Sequence, residues 1–174
     1  MADILPDISP ARRYVVMGVS GCGKTEIGRR LAERLGAISI EGDEYHSPAS
    51  IEKMRAGIPL DDSDRQAWLL VLQQRLRVAR EQGVAAVLSC SALKRRYRDV
   101  LRGGDPELVF IHLDGDRALI EARMRTRAGH YMPPSLLESQ CRDLEPLQAD
   151  ENGMRLGIRT PPDELVEQII GRLA

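Results

Sequence analysis

The chain has 174 residues, 43% of them apolar and 29% charged, and its 25 basic against 26 acidic side chains leave a net charge of −1. That suits one globular domain with a proper core, and excludes a strongly basic nucleic-acid binder, a polybasic membrane-surface protein and, with only three scattered cysteines, a disulfide framework or zinc pattern. No apolar run reaches membrane-span length and the N-terminus lacks the hydrophobic stretch of a signal peptide, so the expectation is a soluble, cytoplasmic protein with neither nucleic acid nor membrane as partner.

Residues 1–12 carry two prolines and no periodicity, and read as a loose tail ahead of a single domain over 13–174. The β-branched run 14–19 predicts a buried strand, followed by a helix over 24–35 with Ile27, Leu31 and Leu35 on one face. A brief strand at 37–42 and a short helix at 47–57, opening at Ser47-Pro48 and stopping at Gly57, come next. A long helix over 64–82 places Trp68, Leu69, Leu72 and Leu76 on one stripe, where Trp68 reads as core. Then follow a strand at 84–90, a basic helix at 92–102, a strand at 108–113 and a helix at 116–127. An irregular stretch at 127–135 precedes a short helix at 135–143, a weak strand at 153–159 and a closing helix at 161–173. Such alternation predicts an α/β fold, a central parallel sheet with helices on both faces.

The segment Gly18-Val19-Ser20-Gly21-Cys22-Gly23-Lys24-Thr25 fits G-x-x-x-x-G-K-[ST] in full, between a buried strand and a helix. Its glycines allow backbone N–H groups to face inward as a nest for phosphate oxygens, and the helix N-terminus adds a favourable dipole. Lys24 offers a point charge to the β- and γ-phosphates, and the Thr25 hydroxyl can ligate Mg²⁺. Cys22 reads as a small residue that fits the loop. The only asparagine, Asn152, is followed by glycine, so no N-K-x-D guanine motif exists. The strand at 84–90 ends Ser89-Cys90-Ser91 without an aspartate, which disfavours a motor ATPase.

Asp43, just past the second strand, is expected opposite the phosphate loop, because strand C-termini line the ligand crevice of a parallel sheet. There it could align an acceptor hydroxyl; a solvated turn is the alternative. Arg123 and Arg127, four residues apart, share a helix face before the irregular stretch, as in a mobile lid or an ordinary exposed helix. His46, His112 and His130 are too scattered for a metal site, and His112, inside an apolar strand, reads as structural.

Four segments, GVSGCGKT (18–25), EGDEYHSPASIEKMRAGIPLDDSDRQAWL (41–69), SCSALKRRYRDVLR (89–102) and EARMRTRAGHYMPPSLLESQCRDLEP (121–146), closely resemble the gluconokinases, small enzymes related to shikimate kinase. The diagnostic blocks are D-x-x-H-x-P-x-x-I-x-K-M-x-x-G-x-P-L-x-D-x-D-R at Asp43–Arg65, S-x-x-L-K-x-x-Y-R at Ser91–Arg98 and R-x-G-H-[FY]-M at Arg127–Met132. The resemblance implies a three-layer P-loop kinase fold with a short lid at about 124–140, a homodimer, and transfer of the ATP γ-phosphoryl to the 6-hydroxyl of D-gluconate with Mg²⁺. It implies catalytic roles for Lys24, Asp43 and Arg127, and nucleotide contacts from Gly18 to Thr25 and from Arg123 and Arg127. It further implies acceptor contacts from Asp43, His46, Lys53, Arg55, Arg65, Lys94, Arg98 and His130. Arg65 is the first choice for the gluconate carboxylate by its bidentate geometry. Ser50 stands where asparagine is common in the family, and Cys141 where an aromatic is usual. A kinase of another sugar acid or of shikimate, and a nucleotide-binding regulator without turnover, are the competing readings.

Overall fold

The run at Arg13–Met17 is buried along its whole length because it becomes the central strand, β1, of a five-stranded sheet. The computed structural model describes residues 11–126 and 133–173. Strands β2 (Ile38–Glu41), β3 (Ala86–Ser89), β4 (Val109–Asp114) and β5 (Gly153–Gly157) complete the sheet in the order β2-β3-β1-β4-β5. Every pairing is parallel, with Val15 level with Leu88 on one side and Phe110 on the other. Strands covered on both faces read as continuous apolar runs, as β1 and β4 do. β5 is an edge strand with only Leu156 buried, which explains its weaker apolar signal.

Seven α-helices connect the strands among the described residues: α1 (Lys24–Leu35), α2 (Pro48–Arg55), α3 (Asp62–Glu81), α4 (Arg95–Arg102), α5 (Arg117–Thr126), α6 (Pro134–Asp143) and α7 (Pro162–Leu173). Helix α1 packs on α7 and against β1, β2 and β3, and α3 packs on α4 and against β1; the right-handed crossovers usual for parallel strands would set these two groups on opposite faces. Leu69, Leu72 and Leu76 are fully buried along one stripe of α3, and truncating any of them to alanine would cost about 2–5 kcal/mol. Helix α1 lies so close to β3 that a Cβ on Gly28 would sit 2.2 Å from Ser89 Oγ. A side chain there would push aside the Ser89 hydroxyl, which donates to the Lys24 carbonyl at 3.2 Å.

Three departures from the sequence pattern have local causes. Helix α3 starts at Asp62 rather than 64, because Asp61 accepts the Asp64 N–H and Asp64 returns the contact to the Asp61 N–H. Helix α4 starts at Arg95 rather than 92, because Ala92 takes the left-handed region at φ +44° and keeps the preceding loop out of helix. Between β2 and α2 lies a 3₁₀ turn, Gly42–Tyr45, and α2 then opens where Ser47 accepts the Ser50 N–H. That turn carries Asp43 to the mouth of the sheet.

Candidate active site

β1 ends at Met17 and the chain turns at Gly18, whose φ of +146° and whose 2.7 Å separation between a notional Cβ and the Leu113 carbonyl oxygen admit only glycine. The Gly18 N–H donates to the Ser91 carbonyl (3.2 Å), which fixes the phosphate loop against the loop after β3. Lys24 lays its ammonium on the Val19 carbonyl at 3.0 Å, curled over the loop it serves. The Ser20 N–H donates to Gln140 Oε1 at 2.8 Å. Cys22 is buried within the loop, and burial pushes its thiol pKa up against the pull of Lys24.

Facing the loop is the end of β2. The Thr25 hydroxyl donates to Glu41 Oε2 at 2.8 Å. Burial raises the Glu41 carboxyl pKa; the Thr25 hydrogen bond works the other way. Two residues on, Asp43 stands with 78% of its side chain exposed and its Oδ1 3.6 Å from His46 Nε2. His46 stacks on Trp68 with ring centroids 4.3 Å apart and planes 19° apart, and Trp68 donates from Nε1 to the Gly42 carbonyl at 2.8 Å. Trp68 is core, as its stripe predicts, and also a wall of the cleft.

One cleft brings together Lys24, Asp43, His46, Arg65, Ser91 and Gln140. Arg65 comes from the second turn of α3 and is 6% exposed, with its guanidinium 5.3 Å over the Tyr97 ring. Its Nε and Nη1 are buried and without a hydrogen-bond partner among the described residues. A guanidinium in that state is a site for an anion.

The other predicted acceptor residues lie differently. Lys53 is held by Asp64 at 2.8 Å, Lys94 contacts Asp62 at 3.5 Å, and Arg55 is exposed in the last turn of α2. Arg98 overturns its expectation as an acceptor ligand, because it has no surface at all and all five of its N–H groups are spent inside the protein. Nε and Nη2 donate to Glu151 (2.7 and 3.0 Å), Nη1 to the Ala92 and Leu93 carbonyls (3.0 and 3.1 Å), and Nη2 to the Pro146 carbonyl at 3.4 Å. It is a scaffold residue that ties the loop after β3 to the chain before β5. Arg123, expected at the nucleotide, donates from Nη2 to the Ile158 carbonyl at 2.6 Å. Arg127 and His130 lie outside the described residues, as does part of the predicted lid.

Sequence reasoning missed Glu41 and Gln140. Glu41 was one of three carboxylates in four residues, and only the strand end separates it from Asp43 and Glu44. Gln140 had no motif to announce it. Among the described residues no group of three or more potential ligands gathers as a metal site, and no helix is long and apolar enough to cross a membrane.

Comparison with known proteins places this architecture. The family described as AAA domain matches residues 14–147. A gluconokinase from Gluconobacter oxydans (strain 621H) is 46% identical over 159 residues, 91% of this chain and 89% of the relative. The chain belongs to the gluconokinase family. Among solved structures, a gluconokinase from Sinorhizobium meliloti 1021 superposes with a TM-score of 0.85 at 42% identity, covering 94% of this chain and 91% of that one. An unliganded sugar kinase from Janibacter sp. HTCC2649 gives 0.89 at 48%, covering 93% and 94%. The P-loop kinase fold implied by the gluconokinase resemblance is thus the fold observed, a five-stranded parallel sheet with the phosphate loop after its central strand.

Proposed function

We propose that this protein transfers the γ-phosphoryl group of ATP to the 6-hydroxyl of D-gluconate, giving 6-phospho-D-gluconate and ADP. The observation that carries the reading is Arg65, a buried guanidinium with two unpartnered nitrogens in the same cleft as Lys24 and Asp43. An acceptor with a carboxylate at one end and a primary hydroxyl at the other satisfies both ends of that cleft. A carboxylate seated on one edge of the fork, Nε–Nη2 or Nη1–Nη2, supplies a missing acceptor to Arg65.

At the other end, Asp43 orients the 6-hydroxyl and takes its proton as the new P–O bond forms. The nest from Gly18 to Thr25 holds the phosphates, and Lys24 moves from the Val19 carbonyl onto them, adding positive charge where negative charge redistributes. The Thr25 hydroxyl and the Glu41 carboxylate are hard oxygen donors already in contact, a set that suits Mg²⁺ and would hold it beside the phosphates. The ion would neutralise phosphate charge there. Arg123 covers the adenine and Arg127, in a lid at about 124–140, meets the phosphates. The working unit is a cytoplasmic homodimer of single-domain subunits.

The test is direct. Purified protein with ATP, Mg²⁺ and a panel of sugar acids and shikimate should phosphorylate D-gluconate with the highest kcat/KM, and the product should be the 6-phosphate by NMR. Preference for another acceptor, or binding of ATP without turnover of any, would replace this reading.

A further inference from the structure

Arg65 carries a charge that the fold must tolerate before any acceptor arrives. A buried guanidinium is ordinarily paired with a carboxylate, and that pairing spends its N–H groups. Arg65 is 6% exposed, yet its Nε and Nη1 have no hydrogen-bond partner among the described residues. What lies against it is the ring of Tyr97, with the guanidinium carbon 5.3 Å from the ring centroid. The negative face of an aromatic ring attracts a cation without claiming the donors along its planar edge. The charge is offset while the fork stays open.

The acids that helical spacing would offer to Arg65 are engaged elsewhere. Asp61, four residues before it, caps α3 by accepting the Asp64 N–H at 2.8 Å. Asp62, three residues before it, stands where opposite charges pair on a helix. Its Oδ1 instead accepts from the Tyr97 hydroxyl, and its carboxylate also meets Arg96 and, at 3.5 Å, Lys94. Burial first, and then the Asp62 hydrogen bond, push the Tyr97 hydroxyl up to about 12, so it stays a donor. The same bond leads the contacts that hold the Asp62 carboxyl below its ordinary range. Tyr97 therefore acts on Arg65 twice, through its ring and through the acid its hydroxyl detains.

We infer that Tyr97 is a positioning residue for the acceptor carboxylate: its ring carries the Arg65 guanidinium and its hydroxyl withholds Asp62, so that Arg65 meets gluconate with its fork unspent. The inference rests on the proposed reading of Arg65 as the carboxylate site. It assigns Tyr97, a buried residue of α4, to gluconate affinity and not to the transfer step.

Two substitutions of Tyr97, each in two backgrounds, test it. Gluconate Kd is read by the fluorescence of Trp68, the only tryptophan of the chain and a wall of the cleft. Tyr97→Phe keeps the ring and releases Asp62, and should raise the gluconate Kd about threefold to fivefold. Adding Asp62→Asn, which removes the competing charge, should restore the wild-type Kd. Tyr97→Leu removes the ring as well and should raise the Kd about thirtyfold. In all of them kcat and the KM for ATP should stay within about twofold. In an Arg65→Met background neither Tyr97 substitution should cost further affinity, because the group through which it acts is gone. A Tyr97→Phe protein that binds gluconate like wild type, or whose loss survives Asp62→Asn, overturns the proposal. So do losses that persist undiminished beside Arg65→Met, or that fall on kcat and ATP as heavily as on gluconate. Should Tyr97→Leu not fold, Tyr97→Phe with and without Asp62→Asn carries the comparison. Arg65→Met binding gluconate as tightly as wild type would remove the reading beneath the proposal, a failure distinct from the others.

Discussion

Gln140 and Ser20 stand 120 residues apart in sequence, and the side-chain oxygen of the first accepts the backbone N–H of the second at 2.8 Å. Helix α6 thus touches the phosphate loop at one of its backbone amides. If that amide belongs to the proposed phosphate nest, the carboxamide oxygen and a phosphoryl oxygen compete for it.

Charge at that position should therefore matter more than the hydrogen bond. Gln140→Glu brings a carboxylate beside the phosphates and should raise the KM for ATP about tenfold or more, an effect that weakens as salt is added. Gln140→Leu removes the competing acceptor and should change the KM for ATP by less than about threefold. Steady-state kinetics at two ionic strengths, with ADP binding by calorimetry, separates the two variants.

Arg65 should show function and stability pulling apart. A buried guanidinium with unpartnered nitrogens is costly to the resting fold, whereas an apolar side chain of like size is not. Arg65→Met is expected to leave the melting temperature unchanged or higher, while the KM for gluconate rises about a hundredfold. Arg65→Lys should recover little, since a point charge cannot replace the planar fork. Thermal unfolding and gluconate titrations on the same preparations decide it; a marked loss of stability in Arg65→Met would make the residue a scaffold element.

The two arginines assigned to the proposed lid region should differ in kind. Arg123 is tied to the Ile158 carbonyl, at the loop that closes off β5. Its assigned contact is with adenine, bound equally in ground and transition states, so Arg123→Ala should mainly raise the KM for ATP. Arg127→Ala should mainly lower kcat, by about two orders of magnitude if it serves the transferring phosphoryl group. Interchanged effects would reverse the roles.

The Arg98–Glu151 pair makes a prediction about acid. Burial pushes the Glu151 carboxyl up, but hydrogen bonds from Arg98, Arg102 and the Gln148 N–H outweigh it and bring the pKa from 4.5 down to about 2. A carboxylate depressed in the folded state stabilises it fully above the unfolded pKa, and that contribution is lost as pH falls from about 4.5 through about 2, on the order of 3 kcal/mol in all. Arg98→Met leaves Glu151 buried and short of partners and should destabilise by about 3–5 kcal/mol. Urea unfolding across that pH range should show the wild type losing stability on acidification. Glu151→Gln should be less sensitive to pH throughout it.

Some of this was legible in the sequence because spacing alone dictates it. The phosphate loop must follow a buried strand and open a helix, and Asp43 follows the next strand, so both were placed before any contact was known. Arg65 came from the gluconokinase resemblance, alongside Lys53 and Arg55, and its planar fork of donors made it the first choice for the carboxylate. Arg98 was misread because a one-dimensional motif does not say whether a side chain points to the cleft or the core: its neighbours Lys94 and Arg96 reach solvent-exposed Asp62, while Arg98 turns inward to a glutamate 53 residues away. Gln140 and Glu41 were silent for the same reason, since their partners Ser20 and Thr25 are fixed only by tertiary packing. The start of α4 was misjudged because nothing in Ala92 signals a left-handed backbone.

Cys22 gives the phosphate loop a clock. Its thiol is 1% exposed and made less acidic by burial, so an alkylating reagent can reach it only when the loop opens. Cys141 is half-buried and Cys90, with its pKa pushed up to about 12, is sealed beneath the sheet end. The order of labelling follows: Cys141 first, Cys22 at the pace of loop opening, Cys90 with global unfolding. Bound nucleotide, by clamping the loop around its phosphates, slows the middle step alone, and the rate at which one sulfur is modified then measures how often an empty kinase lets go of the shape it uses to hold ATP.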